Sequence, residues 1–171
     1  MGKRLIWAGA GARGRNLTQF GLPVVLTWGG ADLLPTDHPL NLGIVGVSGQ
    51  PGANKAVHEA DEILVIGSGV HLTQTAGYKL PQVEAFTDYS NEWGDLSGYK
   101  KLNEMPDVGS YKFNKKMTRL LPPGCVMVVD GGGTALYTGF QSSHIKEGSR
   151  LICSTAISAM GSGLPEALGL A

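Results

Sequence analysis

Apolar residues in this chain fall into short runs separated by stretches of helical period. Residues 5–8 (LIWA), 24–28 (VVLTW), 63–66 (ILVI), 125–129 (CVMVV) and 151–154 (LICS) are brief and rich in bulky or β-branched side chains, the pattern of buried strands. Between them, Ala53, Ala56, Val57 and Ala60 stand at i, i+3, i+4 and i+7, which predicts a helix over 53–60. A second helix is predicted over 111–121, with Ser110 as its N-cap, Phe113, Met117 and Leu120 along one side, and Pro122 and Pro123 ending it. A third begins at Thr134, directly after three glycines, and a fourth near Leu164 with Pro165 in its first turn. Strands alternating with helices predict an α/β fold with parallel sheets. A Rossmann-like unit is expected from about residue 4 to 69, and the opening of a second doubly wound unit from about residue 125. Residues 33–52 carry too little of either period to predict a regular element. Residues 86–111, polar and broken by Gly94, Gly98 and Pro106, read as a linker with at most a short helix.

Composition narrows the function classes. At 171 residues the chain can bury about 70% of the surface its unfolded form exposes, enough for one compact domain and too little for two complete ones. Lys plus Arg equals Asp plus Glu at 14 each, so the charge balance predicts no nucleic acid and no acidic membrane as partner. No apolar run approaches the ~20 residues of a membrane span, and no leader pattern is visible, so a cytoplasmic protein is expected. Cys125 and Cys153 each lie within or beside a predicted strand and read as small hydrophobes rather than as a disulfide.

Two stretches carry candidate chemistry. Gly9, Gly11 and Gly14 follow the first strand with the G-x-G-x-x-G spacing of a dinucleotide site. That site also needs a long helix after the glycines and an acidic residue at the end of the next strand. Residues 16–20 offer barely one turn, and Asp32 lies past Gly29 and Gly30. The second stretch is 128–171, where a strand stops at Asp130 and three glycines and re-enters as a helix. Such a turn leaves bare backbone N–H groups at the positive end of a helix dipole, a docking place for phosphate. The device then repeats through LICS, a small-residue loop and LPEALGLA. Asp37 beside His38 reads as turn chemistry between Pro35 and Pro39, and His58 and His71 have no partner at metal-ligand spacing.

The runs DGGGTALYTGFQ and STAISAMGSGLPEALG resemble the cofactor domain of the thiamine-diphosphate-dependent enzymes, nearest to the acetolactate synthase group. Upstream, PVVLTWGGADLLPTDHPLNLGIVGVSGQPGANKAVHEADEILVIGS resembles the central domain of the same family. The resemblance implies part of a central domain over 1–87, a linker over 88–109 and the start of the cofactor domain over 110–171. It implies that Gly132, Gly133, Thr134 and Ala135 line the diphosphate of thiamine diphosphate. It further implies that the Ser158 carbonyl accepts from the aminopyrimidine and that Met160 presses on the cofactor to hold it bent. The alternative reading of Met160 is a core methionine.

The family binds Mg2+ through a Gly-Asp-Gly segment and a downstream Asn, expected beyond Ala171, and its cofactor-activating Glu belongs to an N-terminal domain. Full-length relatives follow LVIGS with a strand ending in an acidic segment, and flavin-bearing ones often place an Arg where Gly69 stands; both are missing here, which argues against FAD. The leading expectation is therefore a shortened piece of an acetolactate synthase-like enzyme, inactive alone. Its parent would decarboxylate a 2-oxo acid, join the acyl unit to an acceptor and assemble as a homo-oligomer. Two alternatives stand beside it: a nucleotide-binding module using Gly9 to Gly14, and a non-catalytic interaction protein derived from such an enzyme. If the helix packs as the resemblance implies, Leu164, Leu168 and Ala167 are expected to face the second sheet, leaving an uncovered edge near Leu151 that favours self-association.

Overall fold

The computed structural model describes residues 2–77, 79–83, 92–154 and 157–171. Along the chain run strands β1 (Arg4–Ala8), β2 (Val24–Leu26) and β3 (Asn41–Ile44), helix α1 (Pro51–Glu59), strand β4 (Glu62–Ile66), helix α2 (Leu72–Thr75) and strand β5 (Gln82–Val83). Helices α3 (Ser97–Leu102) and α4 (Gly109–Leu120), strand β6 (Val126–Val128), helix α5 (Gly133–Ser142), strand β7 (Arg150–Ile152) and helix α6 (Gly163–Leu170) follow. The first five strands form a parallel sheet in the order β3-β2-β1-β4-β5, and β6 and β7 form a separate parallel pair joined through α5. The strand order reverses direction at β1, as in doubly wound α/β folds. The predicted α/β class with parallel sheets is the observed one.

Strand β1 is central because both of its faces are buried. Leu5 and Trp7 point to one side, where Ala53, Ala56 and Val57 of α1 meet them. The small alanines let the helix axis approach the sheet, and Gly52 lets α3 approach in turn, since a Cβ there would collide with the Tyr99 carbonyl. Ile6 and Ala8 point to the other side, into a cluster with Leu26, Met127, Leu136 and Phe140. The second unit thus covers the opposite face of the first sheet, and one apolar core runs through both.

Polar ties fix this docking. Asp32, with a side chain 1% exposed, accepts from Arg13 Nη2 at 2.6 Å, Arg150 Nε at 2.6 Å and the Leu151 N–H at 3.1 Å. Thr36 and Ile145 exchange two bonds: the Thr36 N–H donates to the Ile145 carbonyl, and the Ile145 N–H to Thr36 Oγ1. Gln50 Nε2 donates to the Gln141 carbonyl while Gln141 Nε2 donates to the Gly49 carbonyl. The Trp28 and Phe140 rings stack with centroids 5.8 Å apart.

Several expectations are corrected. The stretch 33–52 contains β3, a strand disguised by Gly43 at φ 100° and by its polar Asn41. Its outer edge is closed by side-chain amides: Gln50 Oε1 accepts from the Ile44 N–H, and Asn103 Nδ2 donates to the Leu42 carbonyl. Strand β5 continues the sheet beyond β4, where no further strand was expected, while the short helix allowed for in 86–111 is α3, which packs on α1. Helix α4 is capped at Val108 without a side-chain bond, and Ser110 Oγ instead meets Thr138 Oγ1. Leu164 and Leu168 are each 71% exposed and Ala167 is exposed too. Helix α6 turns Gly163 against Asp130 and buries a Glu166 carboxylate oxygen, so its leucines face outward. The edge near Leu151 is also covered, because the outward N–H of that residue is bound by Asp32.

Removing the charge of Asp32 leaves two guanidinium groups facing a buried neutral amide. Asp32→Asn is expected to lower unfolding free energy by about 2 to 4 kcal/mol, the range for breaking one partner of a buried ion pair whose other members are half-exposed. Urea denaturation checks this, and a loss below about 0.5 kcal/mol would remove Asp32 from its tying role.

Candidate cofactor site

The site is built where β6 gives way to α5. Val129 ends the buried run, and its side chain lies so close to Gly139 that a Cβ there would stand 2.6 Å from Cγ1. Only a glycine lets α5 lie this near the strand. Gly132 is the N-cap of α5, with φ −67° and ψ 142°, and no side chain caps the helix. The first-turn amides of a ten-residue helix therefore meet no capping side chain, at the end where the dipole favours an anion.

The loop after β7 folds back over these glycines. The Ser158 backbone lies against Gly131, where a Cβ would come 2.6 Å from the Ser158 carbonyl carbon. Ser158 itself is left-handed at φ 51°. Met160 Cγ would stand 4.0 Å from a Cβ on Gly132, and the Met160 side chain is 87% exposed. Met160 is thus not packed into a core in this structure. The structure thus brings Gly132, Gly133, Ser158 and Met160 to one place, with Ala135 exposed on the first turn of α5. The side chain of Thr134 lies outside the described residues.

Asp130 organises the loop. Its Oδ1 accepts from the Gly132 N–H at 2.9 Å and the Gly161 N–H at 3.1 Å, and its Oδ2 from the Gly163 N–H at 3.0 Å. The Gly163 amide, then those of Gly132 and Gly161, hold this carboxyl below its ordinary value of 3.8, so it stays charged at neutral pH. Sequence reasoning passed over Asp130 as the end of a strand. An aspartate two residues before a glycine does signal the local turn to Gly132, but nothing in the sequence announces the bonds to Gly161 and Gly163.

The glycines and the uncapped helix N-terminus suit the diphosphate end of the implied cofactor. Glycines without Cβ atoms, a helix N-terminus free of side-chain capping and an exposed thioether beside them form a shallow cradle. One amide, that of Gly132, is already held by Asp130. The metal is a different matter: among the described residues no group of three or more His, Cys, Asp or Glu side chains could hold an ion.

The other candidates do not assemble. Gly9 and Gly11 are pressed against the loop after β4, where a Cβ on Gly9 would meet Ser68 Cβ at 2.5 Å and one on Gly11 would meet Gly67 Cα at 3.0 Å. These glycines let two loops touch, and only a three-residue 3-10 turn, Ala10–Ala12, follows β1. Asp32, the acidic residue after β2, is taken by Arg13 and Arg150. His38 Nδ1 accepts from the Leu40 N–H while Asp37 pairs with His144 at 3.4 Å, so the two neighbours point apart. Both cysteines are free and half-buried, and burial first, then Glu166 and Asp130, pushes the Cys153 thiol up to about 11. Among the described residues no helix is long and apolar enough to cross a membrane.

The family described as thiamine pyrophosphate enzyme, central domain, matches residues 1–88, the stretch that builds the first sheet. The chain belongs to the thiamine pyrophosphate enzyme family. Thiamine pyrophosphate is another name for thiamine diphosphate. Within this family, a Methanocaldococcus jannaschii protein described as a probable acetolactate synthase large subunit is 42% identical over 67 residues, covering 39% of this chain and 11% of its own length. The 3D-(3,5/4)-trihydroxycyclohexane-1,2-dione hydrolase of Clostridium perfringens is 32% identical over 72 residues, covering 40% of this chain and 11% of its own. The chain therefore matches only about a tenth of the length of these relatives.

Asp130→Asn is expected to speed amide exchange at Gly161 and Gly163 by about tenfold, since neutral acceptors hold amides more weakly than a carboxylate does. The sign of the pH effect follows from the lowered value. A carboxyl depressed in the folded state stabilises above its unfolded value and loses that contribution as pH falls through the folded one. The wild-type loop should accordingly loosen only below about pH 4, and unchanged exchange in the variant at pH 7 would contradict the assignment.

Proposed function

We propose that this chain supplies the opening of a thiamine diphosphate site in an acetolactate synthase-like enzyme, with residues 1–87 as part of the central domain, 88–109 as linker and 110–171 as the start of the cofactor domain. The observation that carries this reading is the seating of Ser158 and Met160 over the glycines at the start of α5. In this reading the backbone of Gly132, Gly133, Thr134 and Ala135 lines the diphosphate, the Ser158 carbonyl accepts from the aminopyrimidine, and Met160 holds the cofactor bent. Bound thiamine diphosphate supplies the electron sink for cleaving a 2-oxo acid next to its carbonyl. The protein's own share is orientation: Asp130 holds the loop, and Gly131 and Gly139 let the loop and helix close on the strand. Mg2+, where present, would neutralise the charge of the diphosphate, and the chain alone is proposed to bind the cofactor weakly and to be inactive. A homo-oligomeric parent acting on a 2-oxo acid in the cytoplasm is part of the same proposal.

The nucleotide reading draws less support, because the Gly9 to Gly14 turn is packed against Gly67 and Ser68 and its acidic partner is spent. FAD is not proposed for the same reason.

Calorimetry with thiamine diphosphate and magnesium is expected to give a dissociation constant of about 1 mM, weakened about tenfold in Met160→Ala, whose exposed side chain leaves the fold untouched. The purified chain is expected to release no carbon dioxide from pyruvate. Binding that is unchanged in Met160→Ala would remove the residue's role, and carbon dioxide release above buffer would overturn the proposal of an inactive piece.

A further inference from the structure

A cavity of about 440 Å³ lies between the two units, along the outer side of β3 and beneath α4 and α5, away from the cradle at Gly132. Its volume is within the range of small-molecule sites. Its walls divide by what their polar groups already do. The amides of Gln50, Asn103 and Gln141 are spent on backbone groups of β3, Gly49, Gly52 and Gln141 and on the hydroxyl of Tyr111. Ser142 Oγ donates to the Thr138 carbonyl, and Asn114 donates to both Ser142 and Ser143. These groups form a pre-set wall with little hydrogen-bonding capacity left over.

The cations differ. Lys115 and Arg119 stand at i and i+4 on α4 and both line the cavity. Among the described residues, neither head group makes a hydrogen bond or ion pair. Lys115 is half-buried and Arg119 exposed, and like charges at this spacing repel, so the two leave a positive field along this wall that no acidic side chain on α4 offsets. Lys100, also in the wall, is held by the His38 carbonyl at 2.7 Å. On the acidic side, Asp37 is 81% exposed and engaged with His144, and Glu104 sits exposed at the rim. Ile44, Phe140 and Met105 supply apolar lining to the same cavity.

We propose that this inter-unit cavity binds a small organic anion, a carboxylate or phosphate held by Lys115 and Arg119 with its apolar or planar body against Phe140 and Ile44. The guanidinium fork suits two oxygens of either head group, and the ammonium adds a point charge beside it. The occupant joins α4 to β3, so its binding braces the two units against each other.

Titration followed by tryptophan fluorescence tests this, since Trp28 stacks on Phe140. The probes are phenyl phosphate, benzoate and neutral benzamide, without thiamine diphosphate present. At least one of the two anions is expected to bind with a dissociation constant of about 1 mM or lower, and benzamide at least about tenfold more weakly. Tighter binding of phenyl phosphate points to a phosphate ligand, tighter binding of benzoate to a carboxylate, and each supports the site. The double variant Lys115→Ala, Arg119→Ala is expected to lose at least about tenfold in anion affinity with an unchanged urea midpoint. Equal affinity for benzamide and both anions, retention of anion binding in the double variant, or no saturable signal with any probe would overturn the proposal.

Discussion

The structure depends on burying both faces of β1. A parallel sheet leaves two apolar faces to cover, and with only one covered, Ile6, Ala8 and Leu26 would lie open to water. Helix α1 covers the first face with alanines and Val57. The second is covered by Met127, Leu136 and Phe140, which belong to the glycine-led unit that also builds the cofactor cradle. Burial of each large side chain of this set contributes about 1.5 to 3 kcal/mol, so the apolar face outweighs any one polar tie. Core and site are consequently coupled, because α5 serves both.

The polar ties set direction where apolar contact is indifferent to it. Asp32 reads out the position of β7 through Arg150 and the Leu151 amide, and Gln50 and Gln141 fix α5 against the start of α1. Asp130 repeats the device at smaller scale by drawing Gly161 and Gly163 to the strand end. In both cases a carboxylate satisfies backbone amides that the strand ladder cannot reach. Leaving such amides unmet would cost more than the bond itself gains.

Much of this was legible in the sequence. The strands at 5–8, 63–66 and 125–129 stand out because they are continuous apolar runs, and the helix at 53–60 because its alanines keep period. Residues 1–88 carry the family by direct match, as the resemblance of the central block implied. Strand β3 was hidden because Gly43 and Asn41 have low strand propensity, and its pairing is decided by β2 and by Gln50 and Asn103 from elsewhere. The outward turn of Leu164 and Leu168 was also hidden. Period alone would bury them, yet Gly163 fits against Asp130 closely enough to turn the helix the other way. Ser158 and Met160 were nameable only through the resemblance, because a left-handed serine and an exposed methionine leave no mark in hydrophobic patterning.

The central claim is that the first sheet and the glycine-led unit form one cooperative body. Native-state hydrogen exchange as a function of denaturant tests it most directly. Amides of β1, β4, β6 and α5 should converge on a single global opening free energy with a common denaturant slope. If β6 and α5 instead open at lower free energy with a smaller slope while β1 and β4 stay protected, the second unit is an independent appendage and the account is contradicted.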